Sequence, residues 1–230
     1  MVVTEHQDIA ADRSRLLRRI EEEVRETASY LGTDALDARV RQRMMDVPRH
    51  EFVPPEQLAN AYADEPLPIG FGQTISQPYI VAAMTQLLRL TPEDVVLEVG
   101  TGSGYQTAVL SGLVRKVYSV EIIEPLHRRA RATLERLGYG NVELRCGDAH
   151  VGWPEHAPYD AILMAAAGPE IPSPLIDQLA AGGRLVAPVD RGEPAQMLVL
   201  IVKDADGTLQ QRAVLPVAFV PLTSATDHQP

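Results

Sequence analysis

Cysteine is almost absent from the 230 residues: only Cys146 occurs, so no disulfide can form within the chain and a disulfide-stapled scaffold is excluded. Cys146 ends the apolar-alternating run Val142 to Cys146, and a free cysteine in that setting reads as a small core residue in a reducing compartment. Long hydrophobic runs are missing too. No stretch approaches the ~18 apolar residues of a membrane span, and the opening Met1 to Arg15 lacks the basic start and apolar core of a secretory signal. These absences predict a cytoplasmic protein with no membrane partner. Positive charge is in short supply: Lys+Arg 21 against Asp+Glu 31 leaves a formal net charge of -10, which argues against nucleic acid as a general partner. The six histidines never stand at i, i+4 spacing with a partner glutamate, and no zinc-type spacing occurs, so no metal is expected.

What is present is an ordinary globular balance, 45% hydrophobic and 23% charged, in a chain long enough to bury a substantial core. Leu16, Ile20, Val24 and Leu31 recur at helical spacing, with Arg18/Glu22 and Arg19/Glu23 as i, i+4 pairs, which predicts an amphipathic helix ended by Gly32. A second helix carrying Leu36, Val40 and Met44 is expected after a Thr33 cap and before Pro48. Residues Glu51 to Gln77 show neither a 3.6 nor a 2 period, yet are too apolar for disorder, so this long ordered loop is a candidate site. From Val95 onward strand-like runs alternate with helical patterns, through Val95–Val99, Lys116–Val120, Val142–Cys146, Asp160–Ala166 and Arg184–Val189. An α/β fold with a doubly wound, mostly parallel sheet follows. Met197–Lys203 and Leu209–Val220, joined across Asp206-Gly207, predict an antiparallel hairpin at its C-terminal edge.

The turn Gly100-Thr101-Gly102-Ser103-Gly104 leaves one predicted strand and opens a helix, the place where doubly wound sheets bind ligands. A dinucleotide fingerprint needs glycines at i, i+2 and i+5, but Tyr105 or Thr107 holds the third place in the two possible registers, and no P-loop lysine is near. Acids stand there instead. Glu98 lies beside the turn, Glu121 ends the next strand where it can accept from ribose hydroxyls, and Asp148 follows the strand after that, where it suits an adenine amino group. Three acids without a phosphate cradle point to S-adenosylmethionine, an adenosyl cofactor that carries positive charge and no phosphate.

From about Arg41 to Leu222 the chain resembles the protein-L-isoaspartate O-methyltransferases. The most specific match is Val47-Pro48-Arg49 with Phe52-Val53-Pro54, then Ala61-Tyr62-Ala63-Asp64, Pro66-Leu67-Pro68-Ile69-Gly70 and Gly72-Gln73-Thr74-Ile75-Ser76-Gln77-Pro78. The cofactor motif Val96 to Gln106, Ala157 to Ile162, Gln178-Leu179 before Gly182-Gly183, and Phe219-Val220-Pro221-Leu222 also match. Ala149 departs from the glycine usual in the family, and Met164-Ala165-Ala166-Ala167 from its Thr-Ala-Ala type of sequence.

The resemblance implies a Rossmann-like class I methyltransferase that esterifies the α-carboxylate of isoaspartyl residues in damaged proteins and peptides, with S-adenosyl-L-homocysteine as the second product. The ester then closes to a succinimide whose hydrolysis returns some normal aspartate. The acceptor, with a reference pKa of ~3.5, is ionised at pH 7 and is itself the nucleophile, so catalysis should be mainly positioning. By resemblance Ser76 is the active-site serine, whose hydroxyl orients the acceptor; Ile69 and Gln73 join it on the substrate side. The implied cofactor residues are Thr74, Ile75, Glu98, Gly100, Gly102, Ser103, Glu121, Asp148, Ala149 and Thr223. Ser76 could equally cap the helix that Pro78 begins. The expected organisation is one methyltransferase domain over 1–230, with a helical extension over 1–47, an acceptor loop over 48–78, a cofactor core over 91–190 and a hairpin over 195–222. Two rivals stay open on sequence: a carboxyl methyltransferase acting on aspartate of a dedicated precursor peptide, and an inert adenosyl-binding scaffold.

Overall fold

The computed structural model describes residues 8–192 and 194–224. The reading of the extreme N-terminus, and the histidines His6 and His228, lie outside the described residues. Helix α1 (Ile9–Glu26) begins where the Asp8 carboxylate accepts the Ala11 N–H at 3.1 Å, and it buries Leu16, Leu17, Ile20 and Val24 along one stripe. The short α2 (Ala28–Leu31) ends at Gly32, whose φ of 77° supplies the left-handed C-cap. Helix α3 (Ala38–Asp46) starts later than expected: Asp37, not Thr33, caps it by accepting from the Arg39 and Val40 N–H groups, while Thr33 closes a local turn with Ala35. On α1, Arg19 pairs with both Glu23 (2.9 Å) and Glu22 (3.7 Å), so the anticipated Arg18/Glu22 pair is replaced.

The segment read as an irregular loop is folded. It contains two 3₁₀ turns, Arg49–Phe52 and Pro55–Asn60, and then a small hairpin of β1 (Leu67–Gly70) and β2 (Gln73–Ile75). No single period runs through it because its buried apolar residues come from a 3₁₀ turn (Phe52), a further turn (Ala61) and two short strands (Leu67, Ile69, Ile75). Arg49 is wholly buried there, its guanidinium 4.9 Å above the Tyr105 ring and donating to the Glu65 carbonyl at 3.2 Å; desolvation pulls its pKa down to about 10. Helix α4 (Pro78–Leu87) follows, with Pro78 in its first turn, and is nearly all buried between α1, α3 and the sheet.

The sheet contains β3 (Val95–Val99), β4 (Lys116–Glu121), β5 (Val142–Cys146), β6 (Tyr159–Met164), β7 (Leu179–Val189), β8 (Gln196–Lys203) and β9 (Leu209–Val217). Its order is β5-β4-β3-β6-β7-β8-β9, parallel through β7 and antiparallel thereafter. The crossovers carry α5 (Tyr105–Ser111), α6 (Glu124–Arg136) and α7 (Ser173–Asp177). Alternate residues feed two apolar clusters: Val96, Ala161, Leu163 and Val186 face α1 and α3–α6, whereas Leu97, Ile162, Leu185 and Ala187 face Trp153 and α7. Strand β7 begins five residues before the expected Arg184, since Leu179 already pairs with Tyr159 across a register shift. The hairpin turns at Gly207, at φ 88°, as its Asp-Gly pair requires.

Cys146 corrects the sequence reading. It is exposed, because it stands at the end of β5, an edge strand. Partial desolvation, and then Glu124 and Glu121, raise its thiol above the ordinary value, which keeps it protonated.

Candidate active site at the carboxyl edge of the sheet

The chain reverses direction across the sheet between β3, which continues to β4, and β6 on its other side, and the cleft opens at that switch point. The turn after β3 builds its floor. Gly100, Gly102 and Gly104 have φ values of 91°, 55° and 88°, which side-chain-bearing residues rarely adopt, and Gly104 caps α5. A Cβ on Gly104 would also meet Leu134 Cδ1 at 3.2 Å. The Gly104→Ala variant is therefore expected to lose about 1–2 kcal/mol from the left-handed backbone alone, and to melt about 2–8 °C lower. An unchanged melting curve would show that the turn tolerates the substitution.

Glu121, at the end of β4, holds the turn from the side. It is 5% exposed; Oε2 accepts the Gly102 N–H at 2.7 Å and Oε1 accepts the Ile123 N–H at 2.9 Å. These bonds fix the carboxylate while leaving lone pairs directed at the cleft. Thr74, Ile75 and Ser76 form the opposite wall, delivered by the β1–β2 hairpin, and Gln73 stands beside them. Ala149 lies at the third strand end. Thr223 completes the rim because the chain after β9 folds back: Ala167 N–H donates to the Val220 carbonyl and Leu222 N–H to the Ala167 carbonyl.

Three of the expected residues are not on the cleft wall. Glu98 is fully buried one step before Val99, so the strand alternation turns it toward α5, where Thr107 Oγ1 (2.5 Å) and Ser119 Oγ (2.6 Å) donate to its Oε2. Asp148 caps the turn Ala149–Val151, and its Oδ1 takes the His150 N–H and lies 2.7 Å from His150 Nδ1. Ile69, 1% exposed, packs beneath the turn, 3.6 Å from where a Cβ on Gly102 would be. Conversely, Ile122, Ile123, Ala165 and the Val220-Pro221-Leu222 segment line the cleft without having been singled out as site residues. The fold-back that brings the last of these in joins residues more than fifty positions apart and leaves no periodic trace.

Burial lifts the Glu98 carboxyl to about 7, against the lowering effect of the Ser119 and Thr107 hydroxyls. Its folded-state pKa lies above the unfolded value, so the native state holds the extra proton and stability falls as pH rises from about 4.5 to about 7. Glu98→Gln should flatten that part of the stability profile, measured by denaturant unfolding at pH 5 and pH 8. An unaltered slope would remove Glu98 as its source.

Ser76 makes no hydrogen bond among the described residues, and the N-cap of α4 is Gln77, which makes no side-chain cap. The capping role is therefore not taken by Ser76, which lines the cleft with its hydroxyl unpartnered among the described residues. The residues behind it are held firmly. Gln77 Nε2 donates to Asp64 Oδ2 (3.1 Å), and the Tyr79 N–H to Asp64 Oδ1 (2.8 Å). Glu23 of α1 adjoins this pair; desolvation first, and then the Asp64 charge, raise its pKa to about 7.

The cleft encloses about 720 Å³ of empty space, open to solvent. Its described lining contains the Glu121 carboxylate and no lysine, arginine or histidine. That donor set fits a cationic adenosyl cofactor and offers nothing to neutralise a pyrophosphate. Fold and site together define a doubly wound methyltransferase. The model of the protein-L-isoaspartate(D-aspartate) O-methyltransferase family matches residues 28–227. A protein-L-isoaspartate O-methyltransferase of Polaromonas sp. (strain JS666 / ATCC BAA-500) is 61% identical over 200 residues, 87% of this chain and 95% of that one. Among solved structures, a protein-L-isoaspartate O-methyltransferase superposes with a TM-score of 0.81 at 29% identity, over 92% of this chain and 66% of that one. A Plasmodium falciparum protein provisionally assigned the same activity, in complex with S-adenosyl-L-homocysteine, shares the fold at 24% identity and a TM-score of 0.77, over 95% of this chain and 99% of that one. The chain belongs to the protein-L-isoaspartate(D-aspartate) O-methyltransferase family.

Proposed function

We propose that this chain methylates the α-carboxylate of L-isoaspartyl residues in damaged proteins and peptides, opening their repair through a succinimide. The observation that carries the proposal is the pairing, across one cleft, of an unpartnered Ser76 hydroxyl with a buried, pre-oriented Glu121 carboxylate, with no cationic side chain on the described lining. Bound in the cleft, S-adenosyl-L-methionine supplies a methyl group already activated by its sulfonium. Glu121 would hold the ribose hydroxyls, Ala149 and the Asp148 strand end the adenine, and Gly100, Gly102 and Ser103 the floor; Thr74, Ile75 and Thr223 would close the sides. Glu98 keeps the turn in shape from below.

On the acceptor side Ser76 donates a hydrogen bond to the incoming carboxylate and fixes which lone pair faces the methyl group. No base is needed, since the acceptor is ionised at neutral pH. Gln73 and the β1–β2 hairpin bear on the peptide, with Ile69 supporting the hairpin and the turn together. We place the reaction in the cytoplasm, with protein rather than nucleic acid as the macromolecular substrate, in keeping with the net charge of -10. Among the described residues no helix is long and apolar enough to cross a membrane. Repeated turnover with an isoaspartyl peptide should accumulate the aspartyl isomer, resolved by reversed-phase chromatography. Persistence of the isoaspartyl form alone, with cofactor present, would oppose the proposal.

A further inference from the structure

A second cavity among the described residues shares no lining residue with the methyl-transfer cleft. It lies at the other edge of the sheet, between α2, α3, the end of α4 and strands β7 to β9, and holds about 1580 Å³ of empty space on the measure that gives about 720 Å³ for the cleft. Four arginines, Arg39, Arg89, Arg184 and Arg212, line it in a chain whose net charge is -10. Among the described residues none of the four forms an ion pair. Asp37 is the only acid on the lining, and its carboxylate is engaged by the Arg39 and Val40 N–H groups at the start of α3.

The arginines meet backbone oxygens at most. Arg39 donates to the Leu90 and Leu113 carbonyls, Arg184 to the Leu87 carbonyl and Arg212 to the Tyr30 carbonyl; Arg89 has no partner among the described residues. These bonds aim the guanidinium groups without neutralising them. Arg184 is half-buried while Arg39, Arg89 and Arg212 are exposed, and desolvation first, then the charges of Arg89 and Arg212, lower the pKa of Arg184. Arg89 follows α4 at a φ of 51°, a left-handed backbone rare for a residue with a side chain, and this conformation sets its side chain on the cavity. Leu36, Leu87, Leu90 and Leu200 supply an apolar wall beside the charges.

We propose that this cavity is a second ligand site that takes an organic polyphosphate of nucleotide size. Guanidinium forks pair bidentately with phosphate oxygens, and four arginines around one cavity suit the compact charge of a triphosphate chain. The carboxylates of an acidic peptide, by contrast, are spread along an extended backbone. The leucine wall would take the organic body of the ligand.

The test is titration calorimetry with ATP as the probe, in the presence of saturating S-adenosyl-L-homocysteine so that the adenosyl cleft is blocked. The expected result is saturable one-to-one binding, weakened at least tenfold in Arg184→Gln and in the Arg89→Gln/Arg212→Gln double variant, with the affinity for S-adenosyl-L-homocysteine unchanged in both. Retention of that affinity also shows that the variants are folded. Absence of saturable ATP binding up to millimolar concentration, or binding indifferent to all three arginines, would overturn the proposal. Equal affinity for a glutamate oligopeptide of the same charge would overturn the assignment to phosphate.

Discussion

Glu121→Ala is expected to weaken S-adenosyl-L-methionine binding by about 1–3 kcal/mol, the cost of removing a buried charge-assisted acceptor, or roughly 5- to 150-fold in the dissociation constant measured by calorimetry. Two losses combine. The ribose hydroxyls lose their acceptor, and the Gly102 and Ile123 N–H groups, now bonded to the two carboxylate oxygens at 2.7 and 2.9 Å, lose theirs. Glu121→Gln separates them in part, since the amide retains one acceptor oxygen but sets an NH₂ group against one of those two donors. It should therefore bind more weakly than the native chain and no worse than the alanine variant. Unchanged affinity in Glu121→Ala would take this residue out of the cofactor site.

Ser76→Ala should act on the other half of the reaction. Its hydroxyl has no internal partner and does not cap α4, so folding stability and cofactor affinity should change little. Turnover should fall roughly 10- to 150-fold if the serine donates to the ionised acceptor, since a hydrogen bond to a charged group contributes about 1.5–3 kcal/mol. The loss is one of orientation, so kcat should carry more of it than the Michaelis constant for the peptide. Ser76→Thr, which keeps the hydroxyl, should recover part of the rate unless its methyl group obstructs the cleft. A large loss of cofactor affinity in Ser76→Ala would instead place the serine against the cofactor.

The central sheet was legible because each strand is short, apolar and bounded by turn residues, and its crossover helices carry clear apolar stripes. Glycines at 100, 102 and 104 located the site because only the turn at a strand end uses them so densely. Less was legible where long-range contacts decide. Glu98 stands beside the glycine turn in the sequence, but strand alternation sends it into a network with Thr107 and Ser119 that no local pattern announces. Apolar neighbours give Cys146 the pattern of a core residue, yet its strand lies at the sheet's edge, a property of strand order. The stretch carrying Thr74 to Ser76 shows no period because its contacts are scattered: Ile69 packs under the glycine turn, Gln77 reaches Glu23 of α1, and Asp64 accepts from the Tyr79 N–H in α4. The four-arginine cavity draws on α2, α3, α4 and three strands, so nothing in the linear order marks it.

The most direct measurement is base-labile methyl incorporation from labelled S-adenosyl-L-methionine into two peptides that differ only in an isoaspartyl or a normal aspartyl linkage. Selective labelling of the isoaspartyl peptide is the predicted result. Labelling of neither, with the cofactor bound, would contradict the account and point to a dedicated precursor peptide or an inert adenosyl-binding protein; equal labelling of both would contradict the discrimination assigned to the Ser76 wall.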